Sequence, residues 1–343
     1  MQSIYYFRSR YFLRALLFIL PCLFLMPGDN YGQGCCSGGS GSPIAGGTSQ
    51  GVLADRQAEI GTSFQYINSD KFKTGTHDTT NFLKNYNSEY LYTRFAYGAT
   101  KNLTVSLEAG YYFNKTQVWP DNSKANCSGI GDIIIFPRYD VYTKNTEKTR
   151  NEIALGMGVK IPVGKYLDSY VVYTDPHSGK NYFTPKPPAV MPSTGSQDFI
   201  FYGFGYRGYP AKKFRIFTSM LYVRKGWNPI GQRFGDYASL ALYAGKTYFN
   251  KLGVTLQVKG EWVDAMKYDK SIDMLAKYNL DVTSTGGKKI MFVPQLSYSY
   301  KTFSVYALYE LPLYQYVNGT AIASQYFFTL GLSYRFMMVK LKG

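Results

Sequence analysis

Histidine is nearly missing from this chain, with two in 343 residues, and cysteine and tryptophan are scarce at four and three. No zinc-spaced Cys/His set, phosphate loop or dinucleotide fingerprint occurs. The glycine-rich pieces Gly38 to Gly47 and Ser284 to Gly287 lack the strand-then-helix setting such motifs need. Acidic residues are also few, 22 against 38 basic ones, for a net charge of +16. Long apolar runs are the most telling absence. After residue 26 nothing approaches the roughly 20 residues a helix needs to cross a bilayer, so any crossing has to be made by strands.

What is abundant is aromatic and small: Tyr 34, Phe 23 and Gly 34, with a mean hydropathy of only −0.22. From Arg56 onward, apolar and polar residues alternate in segments of about ten, the period of a strand with two unlike faces. Twelve such segments can be counted. In the last, Tyr326, Phe328, Leu330, Leu332, Tyr334 and Phe336 share one face, opposite Phe327, Thr329, Gly331, Ser333 and Arg335. Leu103 to Phe113, Leu252 to Lys259 and Phe303 to Leu311 repeat the pattern. One face suits lipid and the other a lumen, with tyrosines at strand ends where aromatic girdles sit.

The links between segments alternate in length. Short ones fall near Thr100 to Asn102, Lys144 to Arg150, Gly208 to Lys213, Asn250 to Lys251 and Lys301 to Thr302. Long polar ones are Ile67 to Glu89, Asn114 to Gly129, Gly164 to Gln197, Gly226 to Phe234, Val263 to Lys288 and Pro312 to Gln325. Short inner turns and long outer loops are the habit of outer-membrane barrels. An unpaired amide in hydrocarbon costs several kcal/mol, so strands can span only if the sheet closes. The expected fold is therefore all-β: a twelve-stranded antiparallel up-and-down transmembrane β-barrel over residues 56–336, followed by a short basic tail, 337–343.

Ahead of the barrel, Arg8, Arg10 and Arg14 precede the apolar stretch Ala15 to Met26, which reads as an export signal over residues 1–32. Cys35 invites a lipoprotein reading, but Gly32 stands where acylation signals want an aliphatic residue. Residues 33–55 are a Gly/Ser-rich tail, free or threaded into the barrel mouth, that carries the vicinal pair Cys35 and Cys36. These thiols could hold a soft metal such as Cu(I) or pair with Cys127, though structural or unpaired cysteine is the plainer reading.

The predicted lumen face carries Glu59, Arg94, Glu108, Asp132, Arg138, Asp140, Lys160, Arg207, Arg215, Lys259, Glu261, Glu310 and Arg335. They could line a polar conduit or pair with one another to fill the interior. Thr329, Gly331, Tyr334 and Phe336 match the terminal-strand signal read by barrel-assembly machinery. Basic loop residues such as Lys71, Lys73, Lys84, Lys180 and Lys186 suit outer-membrane lipid and lipopolysaccharide, and nucleic acid is not an expected partner. His77 and His177 fall in loops beside Asp78 and Ser178, away from any rigid strand face, so an enzyme such as a lipid hydrolase is a minor alternative and no cofactor is expected.

Three stretches carry a family resemblance: Gly129-Ile130-Gly131-Asp132 opening a strand, Ala154 to Gly164 (ALGMGVKIPVG), and Thr194-Gly195-Ser196-Gln197-Asp198 opening the next. Over about residues 130–210 the chain resembles the outer-membrane barrels named for the meta-pathway of phenol degradation. That resemblance implies an outer-membrane protein passing small, often hydrophobic or aromatic, compounds. The expectation is diffusion of a small-molecule solute through a charged lumen, with the Pro-rich loop Lys165 to Ser193 folded in as a constriction. The alternative is a structural or adhesive surface barrel with a plugged lumen.

Overall fold

The computed structural model describes residues 51–80, 83–278 and 281–338. The expected signal segment, the Cys35–Cys36 pair and residues 339–343 lie outside them. In chain order the strands are β1 (Gln57–Ser69), β2 (Phe72–Gly75), β3 (His77–Thr79), β4 (Asn85–Gly98), β5 (Leu103–Val118), β6 (Lys124–Ile130), β7 (Ile133–Asn145), β8 (Arg150–Ile161), β9 (Ser169–Thr174) and β10 (Asn181–Pro185). They continue with β11 (Asp198–Tyr209), β12 (Phe214–Arg224), β13 (Gln232–Arg233), β14 (Tyr237–Tyr248), β15 (Leu252–Val263), β16 (Lys267–Tyr268), β17 (Gly287–Tyr300), β18 (Phe303–Tyr309), β19 (Leu311–Ile322) and β20 (Tyr326–Met337).

Twelve of these form a closed antiparallel wall in the ring order β1, β4, β5, β7, β8, β11, β12, β14, β15, β17, β18, β20. The ring shuts where β20 returns to β1, in unbroken register from Gln57↔Met337 to Asn68↔Tyr326. Closure gives every wall strand two hydrogen-bonded neighbours, which removes the edges a hydrocarbon surrounding would penalise. The alternation in sequence becomes the two faces of the wall. Leu107, Met157, Leu242, Leu256 and Leu296 are among the outward residues, each about half exposed or more, while most of their chain neighbours are buried in the lumen. An exposed apolar belt around a closed barrel is a lipid-facing surface.

All the short turns gather at one end, at 99–102, 146–149, 210–213, 249–251 and 301–302. At the other end two expected loops are instead strand. The hairpin of β5 and β6 runs on to Val118 and Lys124, and β19 carries Leu311–Ile322 past a break at Glu310, pairing with β17 and with the outer hairpin β2–β3. The first stretch is polar on both faces (Asn114, Lys115, Thr116, Gln117), and the second, LPLYQYVNGTAI, opens on Pro312 and carries Asn318-Gly319, so both read as loop. Backbone pairing with β4, β6, β17 and β2 holds them as strand.

Two non-barrel segments enter the lumen. At the short-turn end residues 51–54 lead in, with the Leu53 amide donating to Thr104 Oγ1 at 2.7 Å and the Val52 amide to Glu152 Oε1 at 3.2 Å. At the long-loop end residues 188–196 are all buried, beginning with the single 3-10 turn Pro188–Val190. The rest of that loop, the β9–β10 hairpin, stands out in solvent.

Candidate functional site

The predicted lumen residues can now be placed. Glu59, Arg94, Glu108, Arg138, Lys160, Lys259, Glu261 and Glu310 are buried on the inner face. Asp132 lies in the gap between β6 and β7 with its carboxylate covered, and Asp140, Arg215 and Arg335 are partly buried toward the short-turn end. Arg207 is a correction. It is exposed on the outer face of β11, between inward Tyr206 and Gly208, and its guanidinium stacks over the Tyr209 ring at 5.7 Å. With Lys246 over Tyr248 and Lys251 and Lys301 over Tyr300, it belongs to a basic aromatic rim outside the wall. A long amphipathic side chain at a strand end reaches out to the interface rather than inward.

One half of the lumen is ionic. Glu59 on β1 takes Arg94 from β4 at 2.6 Å and Arg335 from β20. Glu108 accepts from Tyr92 and from Ser106. On β15 and β17, Lys259 lies 2.9 Å from Glu261 and 2.7 Å from Glu310, while Lys289 lies 3.2 Å from Glu261. Each of these charges has a partner of opposite sign or a hydroxyl, as burial demands.

At the long-loop end, the three stretches that carried the family resemblance meet on one ammonium group. Lys160 Nζ, from the ALGMGVKIPVG strand, lies 2.6 Å from Asp132 and 3.0 Å from Asp198. It also donates to Thr194 Oγ1 at 2.6 Å. Lys225 adds a second cation 3.0 Å from Asp198. The same segment is held by Lys115 Nζ donating to the Met191 carbonyl at 2.8 Å and by Asn228 Nδ2 donating to the Thr194 carbonyl at 3.0 Å. Above it, Ala189, Phe234, Met266, Met274 and Tyr278 from three loops form a small apolar cap. At the foot of the outer hairpin burial pushes the Asp168 carboxyl up, but hydrogen bonds from Lys165 and Lys186 outweigh this and bring it down to about 2.

The other half of the lumen is aromatic, and sequence reasoning missed it. Ile134, Phe136, Ile200, Tyr202, Phe204, Leu221, Val223 and Tyr237 form one buried cluster on β7, β11, β12 and β14. Rings follow one another down it: Phe136 to Tyr202 at 5.8 Å, Tyr202 to Phe204 at 6.5 Å, Phe204 to Phe217 at 6.2 Å and Phe217 to Tyr243 at 4.2 Å. The signal was present in β11, DFIFYGFGYRGY, where the inward face carries rings as well as the outward one. The ladder ends at a cavity of about 460 Å³ at the short-turn end, lined by Phe204, Tyr206, Phe217 and Arg215 and by residues 51–54.

Among the described residues no group of three or more His, Cys, Asp and Glu side chains is placed to hold a metal. His77 and His177 sit exposed in separate hairpins, and the Ser178 hydroxyl donates to Asp175. Cys127 is buried in β6 at the long-loop end.

No protein-family profile matches the chain, and no curated protein matches it. Among solved structures, an outer-membrane channel from Pseudomonas putida F1 is similar at a TM-score of 0.63 and 10% identity, covering 85% of this chain and 100% of that one. Weaker likenesses include the translocator domain of the autotransporter NalP from Neisseria meningitidis, at a TM-score of 0.44 and 10% identity over 83% of this chain and 90% of that one. A Pseudomonas aeruginosa FadL homologue follows at 0.37 and 7%, over 92% and 99%. At these identities the likeness concerns the fold alone, and that fold is the outer-membrane β-barrel.

Proposed function

We propose that this barrel passes small solutes bearing apolar or aromatic surface across the bacterial outer membrane, along the aromatic half of its lumen. The observation that carries this reading is the run of rings from Phe136 to Tyr243 ending at the cavity beside Phe217. Successive ring contacts are each worth about 0.5–1.5 kcal/mol, strong enough to admit an aromatic solute and weak enough to release it. The ionic half then serves as a rigid, neutralised backing. Residues 188–196 act as the external gate, held by Lys115, Lys160 and Asn228. The resemblance to barrels of the phenol meta-pathway agrees with this solute class.

The proposal extends to the surroundings. Long loops face outward, where Lys71, Lys73, Lys84, Lys180 and Lys186 meet lipopolysaccharide. Thr329, Gly331, Tyr334 and Phe336 form the signal to the assembly machinery. Tyr334 and Phe336 stack 5.3 Å apart on the outer face, and Gly331 leaves the room that the Tyr306 ring fills in the lumen.

The test is flux. The folded protein in liposomes should admit a neutral phenol-sized solute faster than a sugar of equal mass, and planar bilayers should record brief openings. A plugged surface barrel is the second reading, favoured by the paired lattice and the two occupied mouths. Absence of flux both in the native chain and in a variant with its gate released would select it.

A further inference from the structure

We propose that the cavity at the short-turn end is a binding site for an aromatic monocarboxylate, with the Arg215 guanidinium taking the carboxylate and the rings beside it taking the body. This deepens the passage reading by naming a substrate class, and it rests on that reading only for its place at the end of the ring ladder.

Arg215 differs from six of the other inward-facing cations. Lys160, Lys225, Lys259, Lys289, Arg94 and Arg335 each lie within salt-bridge distance of a carboxylate. Among the described residues no carboxylate lies within that distance of Arg215, which donates to the hydroxyls of Thr247 at 3.0 Å and Thr255 at 3.4 Å. Two hydroxyls fix the fork in place and neutralise nothing. They also leave several of its five donors for a ligand.

The wall is shaped to hold that fork. Arg215 pairs with Gly245 on β14, and Gly245 pairs with Thr255 on β15, so the side chain crosses two strands over glycine. A Cβ at Gly245 would stand 3.0 Å from Nε, and one at Gly253 would stand 3.5 Å from Nη2. An aliphatic residue at position 245 would therefore crowd the guanidinium out of its place.

The remaining lining sets the ligand. Phe204, Tyr206 and Phe217 lie next to Arg215, their centroids 6.2 to 6.5 Å apart, so a flat ring meets aromatic faces on the cavity wall. The volume of about 460 Å³ falls in the range of small-molecule sites, roughly 300–1,000 Å³. Arg150, Lys251 and Arg335 also line the cavity, against the single acid Glu152, which Arg150 already pairs. An anion is favoured over a neutral or cationic ligand, and a planar carboxylate matches the guanidinium fork.

The full-length folded barrel in detergent would be titrated calorimetrically with phenylacetate and with its neutral isostere phenylacetamide. Phenylacetate should bind, and the amide should bind roughly tenfold more weakly or worse. Arg215→Gln should abolish that preference and Arg215→Lys should keep part of it, with a heat-modifiable band on gels showing that each variant folds. Equal binding of acid and amide by the native protein would overturn the proposal even if Arg215→Gln failed to fold. So would unchanged binding in a folded Arg215→Gln. Flux of neutral aromatics without phenylacetate binding would remove this site and leave the passage intact. Binding without flux, even with the gate released, would remove the passage and leave the site.

Discussion

Lys160 Nζ lies 2.6 Å from the Asp132 carboxylate across the seam of β7 and β8, and the same ammonium reaches Thr194 of the inserted segment at 2.6 Å. Wall and gate are thereby tied through one charge. Lys160→Met leaves Asp132 with no ammonium beside it and takes one of two lysines from Asp198. Breaking a buried pair this way costs about 3–5 kcal/mol. The heat-modifiable transition should fall in temperature, and single-channel recordings should show longer openings. A folded Lys160→Met barrel that stays as closed as the native one would separate the ion cluster from gating.

Gly195 adopts φ +70, and a Cβ there would stand 2.5 Å from the Tyr166 ring. Gly195→Ala therefore adds backbone strain of about 1–2 kcal/mol to a clash inside the mouth. The inserted segment should shift, opening the loop to trypsin near Lys186 and raising flux. Gly179→Ala is the control, since Gly179 has φ +65 but open space around it. It should leave both readouts unchanged.

Asp168 binds Lys165 at 2.8 Å and Lys186 at 2.7 Å, and its carboxyl is drawn down from 3.8 to about 2. A depressed folded pKa means the stabilisation is present above about 4 and lost as pH falls toward 2. Partial solvation of the pair limits it to about 1–2 kcal/mol. With the intrinsic exchange rate divided out, since that rate itself slows as pH falls, hydrogen-exchange protection of residues 169–185 should drop between pH 4 and pH 2 in the native protein. Asp168→Asn should already be weakly protected at pH 4 and show little further change; a native-like pH response in that variant would assign the effect to another group.

Leu256 is half exposed in the middle of β15, on the face opposite Gln257. If that face meets lipid, Leu256→Arg should destabilise the barrel in vesicles by about 2–4 kcal/mol, read from urea titration, and Leu256→Ala by clearly less. A soluble barrel would barely register the arginine.

The barrel was legible because its signal is local and repeated. Tyr326 to Phe336 alternates strictly, and each such segment independently asks for lipid on one side, so errors in one strand do not spread to the next. Loop ends were less legible: Asn114 to Gln117 and Leu311 to Ile322 lack the alternation yet are strand, held by neighbours remote in sequence. Arg207 was misplaced because its charge was read as pointing inward, although the alternation of β11, with Ile200, Tyr202 and Phe204 inward, sets it on the outer face. At the short-turn rim an outward arginine sits among headgroup-level tyrosines instead of lipid tails.

Sequence by itself determined the strand count, the closure and the two faces of the wall, because hydrocarbon tolerates no unpaired backbone and the alternation records which side chain meets lipid. The tertiary structure alone decided how the lumen is divided. Which charges meet depends on side chains from strands tens to hundreds of residues apart, as with Glu59 and Arg335, and no local pattern encodes that distance. The same holds for the ring ladder, the folded-in segment 188–196 and the place of the Arg215 guanidinium at the cavity. Each arises from curvature that brings opposite walls together, and a linear chain carries no local mark of it.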